Sequence, residues 1–196
     1  MVKKNKKNYP GLLILVIGNS GSGKDSIISE VVKRFPSNLK EIHLTQRYIT
    51  RASSEKEKSI AISPKIFKEM SLHNKFTLEW HIYDLDYGVP IDIDDWLKKG
   101  DPVIVNVSRT VVKKARSIYR NILVVFIKVP FEITFQRIKE RARESGKQLQ
   151  ERIQRAKDNQ TFPDADFIVD NSGELESAID QFLSYLIRVV KTKEFY

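Results

Sequence analysis

Apolar residues in this chain gather into short unbroken runs, and between those runs they recur every three or four positions. Leu12–Ile17 is an unbroken run of strand length, rich in Leu, Ile and Val. Such a run suits a strand covered on both faces, as in a parallel sheet. Val103–Val107 and Ile122–Val129 are further candidates for buried strands, and Phe167–Val169 is a shorter late strand. Ser26–Phe35, which Pro36 stops, carries helical spacing, as do Thr110–Tyr119, Phe131–Arg143 and Glu174–Val190. Strands alternating with helices predict an α/β fold with a mainly parallel central sheet flanked by helices. Two stretches break the alternation. Arg51–Pro90 reads as an insertion of antiparallel character, with a short strand near Ile60–Ile62, a helix after Pro64 and aromatic segments around Trp80 and Tyr87. Arg137–Arg155 is dense in Arg, Lys, Glu and Gln around Gly146 and reads as a mobile charged flap between helices.

The chain has 196 residues, which suits one compact domain with a real core. The pattern divides it into a core (9–50, 91–136 and 156–190), an insertion (51–90), a flap (137–155) and a basic tail (1–8). There is no cysteine, so disulfides and thiolate chemistry are excluded, which suits a cytoplasmic protein. No apolar run approaches the ~20 residues of a spanning helix, and no membrane partner is expected. The net charge is +9. Lys3, Lys4, Lys6 and Lys7 supply part of it and read as a solvated tail. The remaining excess is spread over many helices, with no aromatic-interleaved basic stretch, so nucleic acid is not expected as a partner.

Candidate chemistry is concentrated just after the first strand. Gly18-Asn19-Ser20-Gly21-Ser22-Gly23-Lys24-Asp25-Ser26 matches GxxxxGK in full, with Asp25 where Ser or Thr is usual. A buried strand precedes it and a helical pattern follows, the context that makes this short motif credible as a phosphate-binding loop. Glycines let the backbone turn tightly and aim its N–H groups inward. The helix N-terminus favours an anion, and Lys24 brings a full positive charge to β- and γ-phosphates. Asp25 has two readings. Its carboxylate can ligate Mg²⁺, which prefers oxygen donors, or it is a first-turn acid favoured by the helix dipole.

Further marks occur in order along the chain: Arg47–Arg51 (RYITR), Trp80–His81, Tyr87-Gly88-Val89, Ile93–Leu97 (IDDWL), Val105–Arg109 (VNVSR) and the arginine-rich Arg137–Arg155. With the loop GNSGSGKDS, they resemble the ribose 1,5-bisphosphate phosphokinases of phosphonate metabolism, a branch of the guanylate kinase-like P-loop kinases. The likeness spans Leu12 to about Ser184. It implies an ATP- and Mg²⁺-dependent phosphotransferase that converts ribose 1,5-bisphosphate to 5-phosphoribosyl 1-diphosphate. It also implies that 51–90 is an acceptor-binding insert and 137–155 an arginine-bearing lid. The sequence leaves ATP against GTP open and allows a homodimer.

Guanylate kinase, or another nucleoside monophosphate kinase, is the alternative. Guanylate kinases carry a second arginine and an acid after their TTR element and a tyrosine against the GMP phosphate. Here Ala52–Lys56 holds no arginine, Ser59 replaces that tyrosine, and Asn106-Val107-Ser108-Arg109 replaces a D-x-Q-G segment. Glu79 before Trp80, however, follows the guanylate kinase pattern. A non-catalytic binding module of this fold, which typically loses the phosphate loop, is the third reading.

On this resemblance the donor residues are Gly18 to Ser26, with Lys24, Arg137 and Arg141 acting on the transferred group and Asp25 on the metal. Arg143 and Arg152 are further lid candidates, with Glu140, Glu144 and Glu151 as surface partners for them. The acceptor residues are Arg47, Arg51, Glu57, Glu79, Asp86, Tyr87, Asn106, Ser108 and Arg109. Arginine is expected for the phosphates because its planar guanidinium binds two oxygens at once. Glu57, Glu79, Asp84 and Asp86 are candidates for ribose hydroxyls. Gly88 beside Tyr87 is expected to allow close approach. Asp94 and Asp95 read as first-turn helix acids and Trp96 as core.

Overall fold

A computed structural model describes residues 5–51, 59–140 and 146–193. Nine strands and seven α-helices form among the described residues. Five strands make one sheet, in the order β2-β7-β1-β8-β9: β1 (Leu13–Gly18), β2 (His43–Leu44), β7 (Val103–Asn106), β8 (Ile122–Lys128) and β9 (Phe167–Asp170). β2 pairs with β7, and β8 with β9, in parallel. Leu13 to Ile17, Val103 to Val105 and Val124 to Ile127 are all buried, as unbroken apolar runs require in a sheet covered on both faces.

The remaining four strands form a second sheet in the order β4-β3-β6-β5: β3 (Arg47–Ile49), β4 (Ser59–Ala61), β5 (Phe76–Ile82) and β6 (Leu85–Pro90). β6 runs antiparallel to both β3 and β5, and β4 runs parallel to β3. The antiparallel character expected of the insertion is therefore present, but the sheet also recruits Arg47–Ile49, which the pattern had grouped with the core. Tyr83 and Asp84 join β5 to β6 with φ of 54° and 57°, the two left-handed residues of a type I′ hairpin turn.

The chain forms two compact units, one from residues up to Leu15 with Lys40–Leu123, the other from Val16–Leu39 with the residues from Val124 onward. The helices follow their end signals. α2 (Pro64–Leu72) starts with proline after Ser63, whose side chain accepts from Ile66 N–H, a standard cap. α1 (Lys24–Arg34) has Asp25 in its first turn and Lys33 and Arg34 in its last. α5 (Phe131–Glu140) and α6 (Gly146–Asp158) occupy much of the expected flap. Helical spacing is expected as far as Arg143, and the structure adds a second helix, α6, in the charged stretch: Lys, Gln, Glu and Arg are good helix formers, and Lys147–Glu151 and Gln154–Asp158 pair along α6 at i,i+4. α7 (Leu175–Lys193) closes the second unit, with Arg34 of α1 bonded to Glu176.

In the first unit the solvated-tail reading fails at Lys7. Its N–H donates to Ile118 O, and its carbonyl accepts from Arg120 N–H. Its ammonium meets the Asp94 carboxylate, which opens α3 (Ile93–Lys99) and is 6% exposed. Tyr119 OH donates to Asp94 Oδ1 at 2.6 Å, so Thr77 Oγ1, 2.7 Å away, donates to Tyr119. Asp94 is therefore the hub of a buried network rather than only a first-turn acid. Trp96 is half-buried and stacks on His43 at 4.5 Å. Sequence periodicity does not register such long-range polar pairings.

Burial, and then the bond to Asp94, hold the Tyr119 phenol well above its ordinary pKa. A raised folded pKa means the contribution is whole below the unfolded value, near 10, and is lost as pH rises beyond it. Unfolding free energy is expected to fall above about pH 10 by up to about 1.4 kcal/mol per pH unit from this group. Urea melts between about pH 9 and pH 11 should show that slope, and Tyr119→Phe should lack it. Equal slopes in both proteins would overturn the assignment.

Candidate active site

In the second unit the loop from Gly18 to Gly23 joins β1 to α1. Gly21 and Gly23 both have φ of +82°, a left-handed conformation that costs other residues strain. Lys24 Nζ lies 2.8 Å from Gly18 O, 2.9 Å from Asn19 O and 3.3 Å from Ser22 Oγ. Its charge is therefore folded back over the loop and fixed by oxygen acceptors. Ser22 is buried, and its N–H donates to Asn19 O. Ser26 is exposed on the first turn of α1.

Helices α5 and α6 both touch this loop. Arg137 Nη1 reaches Gly21 O at 3.5 Å, a weak contact. Arg152 Nη1 donates to Ser20 Oγ at 3.1 Å. Asn19 does not simply face outward for a ligand: its Nδ2 donates to Ala156 O and Asn159 O at the end of α6. Carbonyls at a helix C-terminus lack the next turn's N–H, so Asn19 ties the loop to the end of α6, where Gln160 Nε2 also donates to Ala156 O. Arg141 and Arg143 lie outside the described residues, as does Glu144. Glu140 accepts from Gln136, and Glu151 faces Lys147.

Asp25 is exposed one residue beyond Lys24. No group of three or more His, Cys, Asp or Glu side chains gathers among the described residues. Mg²⁺ needs no such cage; it keeps several waters and takes one or two carboxylates together with substrate phosphates. A single hard oxygen donor beside a phosphate loop fits that pattern.

In the first unit Arg47 Nη1 donates to Asn106 O at 3.1 Å, and its guanidinium lies 5.5 Å from the Tyr87 ring centre. Tyr87 stacks on Trp80 at 5.1 Å, the two rings nearly parallel. Register explains the grouping. Ile49 pairs with Tyr87, and Trp80 with Tyr87, so Arg47, Trp80 and Tyr87 share one face. Glu79 pairs with Gly88 and His81 with Asp86 on the other face. There His81 Nδ1 and Asp86 Oδ1 are 2.7 Å apart, and Thr50 Oγ1 accepts from Asp86 N–H. The predicted acceptor residues are thus divided: Arg47 and Tyr87 come together, whereas Glu79 and Asp86 lie across the sheet from them.

Arg51 follows β3 and is half-buried; Glu57 is outside the described residues. Asn106 ends β7. Ser108 caps a short 3₁₀ turn, Arg109–Val111, by accepting from Thr110 N–H at 3.3 Å, so its hydroxyl has a local structural task. Gly88 has a different reason from the one expected: a Cβ there would lie 2.6 Å from the Phe76 ring. The missing side chain admits an aromatic neighbour.

Sequence reasoning passed over Asn171. It follows β9, is 1% exposed, and donates through Nδ2 to Ser22 O at 2.8 Å. The available signal was its position, the end of a late parallel strand, where open α/β sheets place ligand-binding groups.

A family model for guanylate kinase matches residues 11–188. Ribose 1,5-bisphosphate phosphokinase PhnN of Bradyrhizobium diazoefficiens is 33% identical over 186 residues, spanning 95% of this chain and 91% of that protein. The protein of the same name in Pectobacterium atrosepticum is 38% identical over 177 residues, 89% of this chain and 93% of its own. Among solved structures, guanylate kinase from Anaplasma phagocytophilum superposes with a TM-score of 0.67 at 14% identity, covering 96% of this chain and 89% of its own. That last likeness bears on the fold alone.

Proposed function

The chain belongs to the guanylate kinase family, on its ribose 1,5-bisphosphate phosphokinase branch, and from that premise we propose that it transfers the γ-phosphoryl of ATP to the 1-phosphate of ribose 1,5-bisphosphate. The products are 5-phosphoribosyl 1-diphosphate and ADP. The observation that carries the donor half is the convergence of Lys24, Arg137 and Arg152 on one glycine-rich loop. An oxygen of the acceptor phosphate attacks the γ-phosphorus, and the bond to the β-bridging oxygen breaks. With a second pKa of ~6, most of that phosphate is already fully ionised at neutral pH, so no general base is required. The demand is to neutralise two polyanions and hold them in line.

Lys24 exchanges the Gly18 and Asn19 carbonyls for phosphate oxygens. Arg137 and Arg152 carry charge to the same loop from α5 and α6, and Arg141, outside the described residues, is proposed to act on the transferred group with them. Asp25 would be the residue to hold Mg²⁺, which would supply charge neutralisation to the phosphates. Arg47, with Arg51 and Arg109, binds the acceptor phosphates, and Tyr87 supplies a hydroxyl. Glu79, the residue that follows the guanylate kinase pattern, lies on the opposite sheet face from Arg47 and Tyr87. No helix among the described residues is long and apolar enough to cross a membrane, and the setting proposed is the cytoplasm.

The test is a transfer assay with Mg²⁺–ATP that compares ribose 1,5-bisphosphate with GMP and the other nucleoside monophosphates. Turnover of the sugar bisphosphate is expected, with GMP at least about 100-fold poorer in kcat/KM, as loss of matched polar contacts implies. Preference for GMP would overturn the acceptor assignment.

A further inference from the structure

We infer that Asn171 is a positioning residue of the phosphate loop, acting on bound phosphate through the Ser22–Gly23 peptide. The inference rests on the donor half of the proposed function. Asn171 Nδ2 donates to Ser22 O at 2.8 Å. No cis peptide occurs among the described residues. In a planar trans peptide the carbonyl and the following N–H point in opposite directions. Anchoring Ser22 O towards Asn171 therefore directs the Gly23 N–H away from it. Gly23 is the N-cap of α1, where a backbone N–H is a natural donor to an anion. A peptide free to rotate would lose that donor for part of the time.

Two details favour a positioning role over mere filling of space. Asn171 Oδ1 is buried without a hydrogen-bond partner. An unpaired buried oxygen is costly, and an apolar side chain of similar size would avoid the cost. The amide is oriented by Ser22 O, because the reverse orientation would set two oxygens face to face. Gly23 is also packed so closely that a Cβ there would lie 2.7 Å from Asn171 Nδ2. The asparagine is itself held on both sides. Its N–H donates to Lys128 O. The preceding Asp170 accepts from Ser172 N–H through its carboxylate, which lowers its pKa, and exchanges two bonds with Gln181 of α7. The donor is thus rigidly presented, as an orienting group must be.

The experiment measures inorganic tripolyphosphate binding by calorimetry, together with ATP and acceptor KM, for the full chain and for Asn171→Asp and Asn171→Ala. Tripolyphosphate has no base or sugar, so it reports on the loop alone. Both variants are expected to raise tripolyphosphate Kd and ATP KM together, by about 10- to 100-fold, the range typical of lost orienting groups. Acceptor KM should stay within about twofold. Phe182→Leu, in the core of α7, controls for stability: it should lower the unfolding midpoint and leave tripolyphosphate binding unchanged. Unaltered tripolyphosphate binding in the Asn171 variants would overturn the inference, as would a rise in ATP KM alone, which would mean a contact to the base. Wild-type protein that binds neither tripolyphosphate nor ATP would overturn the donor reading and this inference with it.

Discussion

Lys24→Ala is expected to lower kcat/KM for phosphoryl transfer by roughly 10³-fold, about 4 kcal/mol of transition-state stabilisation. The size follows from the place of the charge. Lys24 Nζ is within hydrogen-bond distance of three oxygens of the loop, so it is pre-positioned and little reorganisation is needed when phosphate replaces them. Charge on the transferred group is spread over its equatorial oxygens, and a fixed cation there acts mainly in the transition state. Both kcat and kcat/KM should therefore fall, and ATP KM should change less. The fold should survive, because β1 and the buried face of α1, including Ile27 and Val31, are untouched. Lys24→Met, which keeps the stem, should behave alike. Steady-state kinetics beside a thermal melt checks both statements. Full activity in either variant would sink the donor assignment.

The fold was legible wherever burial is total. Leu13–Ile17, Val103–Val105 and Val124–Ile127 are covered throughout, and a strand segment with no solvent face leaves an unbroken apolar run that no other local signal contradicts. The loop was legible because glycine is the residue that reaches its φ of +82° without strain. Helix α6 was harder: among its residues only Ala156 is fully buried. A helix so exposed offers charge rather than a clear apolar stripe, and charge alone reads as loop.

The arrangement of the candidate acceptor residues was not legible. Side chains alternate across a strand, and a shift of one residue in register moves all of them to the other face. Nothing local announces which residue of β5 faces Tyr87. The pairing of Trp80 with Tyr87 decides it, and that pairing follows from the two-residue turn at Tyr83 and Asp84. Asn171 and Asp94 escaped for a related reason. Their partners, Ser22 and the pair Lys7 and Tyr119, are distant in sequence, so polar residues that look ordinary in isolation acquire their roles only through the fold.

Asp94→Ala is expected to destabilise the protein by about 3 kcal/mol. Removing one partner of a buried charge pair costs roughly 3–5 kcal/mol. The lower end applies because the Lys7 side chain is 28% exposed and water can partly replace the lost carboxylate. The change also strips Tyr119 OH of its acceptor, and a buried donor left unmet costs about 1–3 kcal/mol. For a chain of this size the midpoint should drop by roughly 6–12 °C. Asp94→Asn, which preserves an acceptor for Tyr119, should cost less. In a cycle with Lys7→Met, the double variant should be less harmful than the sum of its parts, since each single change leaves the other group unpaired. Thr77 links the network to β5, which pairs along its length with β6 and so supports Tyr87. Acceptor KM should consequently rise before ATP KM does. Additive costs in the cycle, or an Asp94→Ala penalty below about 1 kcal/mol, would mean that the segment around Lys7 is held by its backbone bonds to Ile118 and Arg120 and not by the charge it brings.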